Sequence, residues 1–196
     1  MHLYHVPGTR STRVLWLLEE IGAPYDLTVL SRDERTGDEH IERHPLGRVP
    51  VVDDGSGFVF ESAGIVLHIA DLHPELGLVP MPGTHERALA YQWIFLAMTE
   101  LEPAIVDRIR AGETDPERAE AARGRAYAAA AVIDRVLEGH EYLVGDRFGV
   151  ADVVAGSVLS FARRYGAAEG LANVADYVER LEARPARLRA DAVVAA

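Results

Sequence analysis

The chain has 196 residues, of which 48% are hydrophobic and 26% are charged, a composition typical of a folded globular protein with a substantial core. Its formal net charge of −11, without a run of positive charge, argues against nucleic acid as a partner. It contains no cysteine and its 20 Lys and Arg residues are all arginine, which excludes disulfides, thiolate metal sites, cysteine nucleophiles and lysine Schiff bases.

The sequence also argues against a membrane protein and a metalloprotein. No apolar run approaches the roughly 20 residues that a membrane helix needs. The N-terminal region lacks a basic stretch followed by an apolar signal core. Histidines are scattered singly, without the spacing of metal ligands. We therefore expect a cytoplasmic protein with no membrane partner and no metal.

The first third of the chain is predicted to form a small α/β domain over residues 1–75. Short β-branched segments predict strands at 2–6, 25–30, 49–54 and 58–61. Helical patterns lie between and after them, at 10–22, 36–44 and 62–72. The order is therefore βαβ, a second helix, a β-hairpin and a closing helix, which indicates a mixed sheet.

The rest of the chain is predicted to be helical. Residues 76–85 are rich in proline and glycine and are expected to be a linker. Residues 86–196 are expected to form an all-α domain. Its predicted helices cover 86–111, 115–139, 149–166, 171–185 and a short tail.

The segment "VPGTRSTRV" places three hydroxyls and two arginines at the predicted start of the first helix. Thr9, Ser11 and Thr12 carry the hydroxyls, and Arg10 and Arg13 add positive charge. Side chains of this kind cap helices in many proteins. The same cluster, at the positive end of a helix, also suits a bound anion. The segment alone supports both interpretations.

The segment "HPLGRVPVV" places Pro50 between two valines of an apparent interior strand, where proline cannot donate to the ladder. A cis Val49–Pro50 bond would leave the backbone of Val49 able to pair with an extended, peptide-like ligand. An edge strand with a trans proline is the alternative. These residues do not decide between the two.

Two further segments begin helices. In "FESAGI", Glu61 and Ser62 either cap the third helix or hold a ligand that carries a carboxylate and an ammonium group. In "FGVADVV", Gly149 and Asp152 have the spacing of a capping box, flanked by hydrophobic residues. We interpret this second pattern as a folding device.

These segments, in this order, resemble the glutathione S-transferase family over nearly the whole chain. The most specific pair, "HPLGRVPVV" and "FESAGI", is similar to the family's Asn-Pro-x-Gly-x-Val-Pro and Glu-Ser motifs. The resemblance implies a thioredoxin-like N-terminal domain of order βαβαββα and an all-α C-terminal domain. It also implies a homodimeric detoxification enzyme that uses glutathione as co-substrate and conjugates its thiol to a small apolar electrophile.

The resemblance assigns residues to the parts of glutathione. The backbone of Val49, before a cis Pro50, is implied to pair with the cysteinyl part. Glu61 and Ser62 are implied to hold the γ-glutamyl group. The glycyl carboxylate falls to Arg48, Arg43 or His40, without a choice among them.

The group that stabilises the thiolate is implied to lie at the start of the first helix. The serine-type position falls on Ser11, with Thr9 next. The cysteine-type position is Arg10, and the tyrosine-type position is His5. The chain also has His44 where the family usually has Asn, and Gly149 where it usually has Ser or Thr.

A pocket for the electrophile is expected between the two domains. Candidate residues are His5, Tyr91, Phe95 and Met98, followed by Thr99. The alternative is that these aromatic residues belong to the core, as helical spacing often indicates. Two other functions stay open: a non-catalytic protein that binds a ligand or recruits a partner, and a transferase that uses another low-molecular-weight thiol.

Overall fold

The computed structural model describes residues 1–31 and 33–193. The chain forms two compact units. The first is Met1–Leu76 together with the segment from Ala183 onward, and the second is Gly77–Glu182. The first unit contains a mixed sheet with helices and the second is helical, which confirms the predicted fold class.

The sheet of the first unit has the predicted order of elements. Its strands are β1 (His2–His5), β2 (Asp26–Val29), β3 (Val51–Asp53) and β4 (Phe58–Phe60). They lie in the order β2-β1-β3-β4, with β1 parallel to β2 and antiparallel to β3, and with β4 antiparallel to β3. The helices are α1 (Ser11–Ile21), α2 (Asp38–Arg43) and α3 (Ser62–Asp71). The thioredoxin-like order βαβαββα is thus confirmed.

Helix α1 is buried on almost every side, because the last helix of the chain covers the side that the sheet leaves open. Residues 14–18 are all buried, Trp16 among them, whereas Ile21 in the last turn is half-buried. The guanidinium carbon of Arg187, in α9 (Pro185–Asp191), lies 5.2 Å from the centre of the Trp16 ring. Arg184 forms an ion pair with Glu20 at 2.6 Å.

The expected domain division therefore differs from the observed units at the C-terminus. The expectation assigned residues 86–196 to the helical domain, whereas α9 packs within the first unit. Nothing in the local sequence of α9 signals this, because its partners lie in α1, at the other end of the chain.

The second unit consists of helices in the predicted places. They are α4 (His85–Leu96), α5 (Glu102–Ala111), α6 (Pro116–Val136), α7 (Val150–Arg164) and α8 (Ala172–Glu182). A π-helical segment, Ala97–Leu101, joins α4 to α5, so the predicted helix at 86–111 is nearly continuous. The Asp115 side chain caps α6 by accepting from the Arg118 N–H.

Asp152 is the buried polar centre of the second unit. Its carboxylate accepts hydrogen bonds from the Leu143 N–H at 3.0 Å, the Gly149 N–H at 2.9 Å and the Tyr177 hydroxyl at 2.7 Å. Burial raises the pKa of this carboxyl group. These bonds connect the start of α7 to the preceding loop and to α8, which confirms the folding-device interpretation.

Gly149 stands at the start of α7 for a steric reason. A Cβ atom at this position would lie 2.6 Å from the carbonyl oxygen of Leu78, which accepts a hydrogen bond from the Val150 N–H. A serine or threonine cap does not fit there. The capping box therefore lacks the hydroxyl of its first residue, and only Asp152 contributes a side chain to it.

We predict that Gly149→Ala lowers the free energy of unfolding by about 1–3 kcal/mol, because the added methyl group overpacks against backbone. Urea denaturation measures this. Gly124→Ala is the matched control, since Gly124 lies in α6 with open space around it. The control is expected to raise stability by up to about 1 kcal/mol. A Gly149→Ala protein as stable as the control variant would contradict the steric account.

Candidate functional site

Two hydroxyls meet where β1 passes into α1. Ser11 is 0% exposed, and its Oγ accepts a hydrogen bond from the Val6 N–H at 3.1 Å. Thr9 is partly exposed, and its Oγ1 lies 2.8 Å from Ser11 Oγ and 2.7 Å from the Val6 carbonyl oxygen. These bonds go chiefly to the loop before the helix, and no side chain makes a capping bond at the N-cap of α1, Arg10.

His5 lies behind these hydroxyls. It is 0% exposed, and its Nδ1 is 2.7 Å from Ser11 Oγ. Its Nε2 is buried without a hydrogen-bond partner among the described residues. Burial lowers the pKa of the imidazole from 6.5 to about 4, because the charged form is poorly solvated there. His5 therefore lies beneath Ser11 as a neutral ring and presents no accessible surface.

The segment 44–50 forms a tight loop before β3. The His44 ring accepts a hydrogen bond from the Leu46 N–H through Nδ1 at 3.2 Å, the kind of bond that an Asn side chain makes in an Asx-turn. Gly47 has a φ of 57°, and a Cβ there would lie 3.1 Å from the Arg35 carbonyl oxygen. His44 thus replaces the family's Asn without loss of the turn, and glycine is required at Gly47.

The Val49–Pro50 bond is cis, and β3 lies between β1 and β4. The cis alternative is therefore confirmed and the edge-strand alternative is wrong. The pairing of β3 with both neighbours begins at Val51, so the backbone of Val49 lies outside the ladder. The Val49 side chain is buried and packs with Tyr4, Leu30 and Val51, which anchors the loop.

The three candidates for a carboxylate partner have different surroundings. His40 is buried, and its Nε2–H donates to the Arg48 carbonyl oxygen at 2.8 Å. Arg43 forms an ion pair with Glu39 and stacks over the Tyr4 ring at 4.3 Å. Arg48 is exposed and makes no ion pair with any residue that the structure describes. Of the three side chains, only that of Arg48 is both exposed and without an ion-pair partner among the described residues.

Glu61 and Ser62 stand at the start of α3 in an unusual backbone conformation. Glu61 has a φ of 72°, the left-handed region that non-glycine residues avoid and that is often found at ligand sites. No side chain caps α3, so the N–H groups of its first turn lack an acceptor of that kind. The Glu61 side chain is exposed and makes no hydrogen bond with the described residues.

Arg13 connects the two helix starts. It is buried in α1, and its Nη1 donates to the Ser62 hydroxyl at 3.4 Å. From the sequence, Arg13 is expected only to add positive charge near Thr9 and Ser11. The signal in the sequence was an arginine beside the apolar residues of α1, which suggests that its charge has a specific partner. The sequence does not identify that partner.

One face of α4 carries the residues considered for an electrophile. Phe95 is 60% exposed and Tyr91 is exposed along the same face, while Met98 is partly buried and Thr99 exposed in the π-helical segment. Arg87 Nε donates to the Tyr91 hydroxyl at 2.8 Å, which holds that ring in place. The alternative that these aromatic residues form core is therefore wrong for Phe95 and Tyr91.

Residues 1–31 and 33–193 contain neither a metal site nor a membrane span. That part of the chain contains no group of three or more His, Cys, Asp or Glu side chains arranged to hold a metal ion. None of its helices combines the length and apolar character needed to span a bilayer.

Comparison with known proteins decides the family. The sequence profile described as "Glutathione S-transferase, N-terminal domain" matches residues 1–71, and the corresponding C-terminal profile matches residues 85–185. The chain belongs to the glutathione S-transferase family. Within it, the chain is 31% identical to glutathione S-transferase 4 of Zea mays over 194 residues, which covers 89% of this chain and 84% of the maize protein.

Bacterial members of the family agree in sequence and fold. GstA of Escherichia coli O157:H7, named a glutathione S-transferase, is 26% identical over 191 residues and 94% of both chains. The structure of a sphingomonad glutathione S-transferase complexed with glutathione superposes with a TM-score of 0.86 at 26% identity, over 97% of both chains. These matches cover the α/β part and the helical part together.

The buried imidazole gives the protein an acid-sensitive stability. The His5 pKa is 6.5 in an exposed environment and about 4 in the folded protein. Between these two pH values, the His5 imidazole is protonated in the unfolded chain but stays neutral in the folded protein. Stability is therefore present above the unfolded pKa and is lost toward the folded one, by up to about 3 kcal/mol at the acid end.

We predict that His5→Asn removes this contribution. Urea denaturation of both proteins at a series of pH values is the measurement, and the difference between their unfolding free energies isolates His5 from the other titrating groups. The wild-type advantage at neutral pH is expected to shrink as the pH falls. Parallel stability curves would show that His5 has an ordinary pKa in the folded protein.

Proposed function

We propose that this protein is a glutathione transferase that binds glutathione on the first unit, activates its thiol and joins the sulfur to a small apolar electrophile. Family membership supports the transferase function. The observation that carries the proposal for this chain is the start of α3, where Glu61 has a left-handed backbone and no side chain caps the helix. Such a conformation costs free energy, which a bound ligand offsets.

The γ-glutamyl end of glutathione suits this helix start. Its α-carboxylate would accept hydrogen bonds from the first-turn N–H groups and from Ser62, at the positive end of the helix dipole. Its ammonium group would pair with the Glu61 carboxylate, which no described residue engages. Arg13 would hold the Ser62 hydroxyl in position from below, through the contact at 3.4 Å.

The other end of glutathione suits the cis-proline loop. The backbone of Val49 lies outside the sheet ladder, so it is available to pair with the cysteinyl residue as an added strand would. We assign the glycyl carboxylate to Arg48, because the His40 ring is buried and Arg43 already pairs with Glu39. His40 then acts indirectly, by holding the Arg48 carbonyl oxygen.

The thiol would meet the hydroxyls of Thr9 and Ser11 at the start of α1. A free thiol has a pKa of about 8.5, so an enzyme working near neutral pH must favour the thiolate. A hydroxyl donor and the positive end of a helix both do so. The thiolate sulfur then forms a bond to the electrophilic carbon, and the thiol proton and any leaving group pass to solvent.

The exposed aromatic face of α4 supports an apolar second substrate. Phe95 and Tyr91 offer ring surface to solvent, and Met98 adds a flexible side chain next to them. We propose that the electrophile contacts this face. A small aromatic compound such as chlorodinitrobenzene is an appropriate first test substrate.

We further propose that the protein is a cytoplasmic homodimer. Glutathione must be in its thiol form to react, and the cytoplasm keeps thiols reduced. The edge strand β4 exposes Phe58 and Phe60, which gives the first unit apolar surface that a second copy would cover. Light scattering after size-exclusion chromatography measures the oligomeric state.

Calorimetric titration with glutathione and with γ-glutamylcysteine, which lacks the glycyl carboxylate, tests the binding proposal. We predict that Arg48→Ala weakens glutathione binding about tenfold, the usual cost of one charged hydrogen-bonded contact. The same substitution should leave γ-glutamylcysteine binding within twofold of the wild type. Turnover is followed in parallel with chlorodinitrobenzene.

Ser56→Ala, in the exposed turn of the β-hairpin, is the control for both titrations and should match the wild type. Equal weakening of both thiols by Arg48→Ala would remove Arg48 from the carboxylate site. Absence of glutathione binding to the wild-type protein, with binding of another low-molecular-weight thiol, would overturn the choice of co-substrate.

A further inference from the structure

Three short contacts join His5, Ser11, Thr9 and Val6 into a line, which we call the hydroxyl chain. His5 Nδ1 lies 2.7 Å from Ser11 Oγ, Ser11 Oγ lies 2.8 Å from Thr9 Oγ1, and Thr9 Oγ1 lies 2.7 Å from the Val6 carbonyl oxygen. Each distance is that of a hydrogen bond, so each needs one hydrogen between its two atoms. Serine and threonine supply one hydrogen each.

The third hydrogen must come from His5. If His5 Nδ1 carries a hydrogen, it donates to Ser11, Ser11 donates to Thr9, and Thr9 donates to the Val6 carbonyl oxygen. If Nδ1 is bare, Ser11 must donate to the ring, and the single Thr9 hydrogen serves only one of its two contacts. One oxygen pair, at 2.7 or 2.8 Å, would then lack a hydrogen and repel.

The surroundings of His5 favour the same tautomer. Its Nε2 is buried without a partner among the described residues, and a buried N–H without an acceptor is rarer than a buried acceptor without a donor. The lowered pKa keeps the ring neutral near neutral pH, so it carries a single hydrogen. The hydrogen-bond count above places that hydrogen on Nδ1. The Val6 N–H, at 3.1 Å, occupies the second lone pair of Ser11. Ser11 Oγ also lies 3.1 Å from the Val6 carbonyl oxygen, but the contact with Thr9 is shorter at 2.8 Å, so the Ser11 hydrogen goes to Thr9.

We propose that the direction of the hydroxyl chain makes Thr9 the residue that donates to the glutathione sulfur, with His5 and Ser11 as positioning residues behind it. The inference rests on the proposed function and deepens it. Ser11 is 0% exposed and is fully engaged, whereas Thr9 is partly exposed and stands at the outer end. When the thiolate arrives, the Thr9 hydrogen turns from the Val6 carbonyl oxygen to the sulfur.

His5 matters because it fixes this direction. Without the Nδ1–H, Ser11 has a vacant lone pair, and the Thr9–Ser11 bond can reverse so that the Thr9 hydrogen points inward. A reversed bond offers the sulfur an oxygen lone pair, which repels a thiolate. Loss of the imidazole donor therefore weakens thiolate stabilisation although His5 itself does not touch the ligand.

The first test needs no ligand. Nitrogen-15 NMR of the histidine rings in the free protein, with His5 assigned by comparison with His5→Asn, identifies which ring nitrogen carries the hydrogen. We expect a protonated Nδ1 and a bare Nε2 at neutral pH. A bare Nδ1 would overturn the inference whether or not the protein binds glutathione.

The second test measures the thiol pKa of bound glutathione from the ultraviolet absorbance of the thiolate. Thr9→Val and His5→Phe are each expected to raise this pKa by about one unit, a roughly tenfold loss of thiolate below the pKa. Thr9→Ser and His5→Asn, which restore the hydroxyl and an N–H donor, are expected to recover most of the loss. The KM for glutathione should change less than kcat.

Thr114→Val is the matched control, since the Thr114 hydroxyl donates to the carbonyl oxygen three residues earlier, as Thr9 does, but in the second unit. It should keep the wild-type thiol pKa. A Thr9→Val enzyme with the wild-type thiol pKa would place the donor elsewhere and overturn the inference. If the wild type binds no glutathione, the proposed function fails, and the tautomer measurement still decides the direction of the chain.

Discussion

The bond between the Ser11 hydroxyl and the end of β1 is the interaction on which the candidate site depends. Ser11 accepts from the Val6 N–H and lies 2.7 Å from His5, so the first residue of α1 is tied to the strand that precedes it. This fixes the helix start relative to the sheet. The partly exposed Thr9 hydroxyl lies next to the positive end of α1, where we propose that the thiolate is stabilised.

The polar residues of the candidate site form two groups, one bonded to neighbouring groups of the protein and one without an ion-pair partner among the described residues. Ser11, His40 and Arg43 are engaged by neighbouring groups, and they hold the backbone in place. Arg48 and Glu61 are exposed, and neither makes an ion pair within the described residues. Under the proposed function, Arg48 would take the glycyl carboxylate and Glu61 the ammonium group, while the α-carboxylate would go to the N–H groups at the start of α3. Rigid support and available charge therefore come from different residues.

Local chemistry made much of this predictable from sequence. Proline inside an apparent strand raised the cis Val49–Pro50 bond as one alternative, and an acid-hydroxyl pair at a helix start pointed to Glu61 and Ser62. Features that depend on distant parts of the chain were not predictable. Burial of Trp16 by α9, the exposure of Phe95, and the choice of Arg48 over its neighbours all follow from packing. Residue type and spacing alone do not predict that packing.

A crystal structure of the protein with bound glutathione tests the central claim most directly, because it locates each end of the tripeptide. The account predicts the γ-glutamyl group at Glu61 and Ser62, the cysteinyl backbone against Val49, and the sulfur within hydrogen-bonding distance of Thr9 Oγ1. A sulfur that does not contact Thr9, or a γ-glutamyl group away from the start of α3, would contradict it.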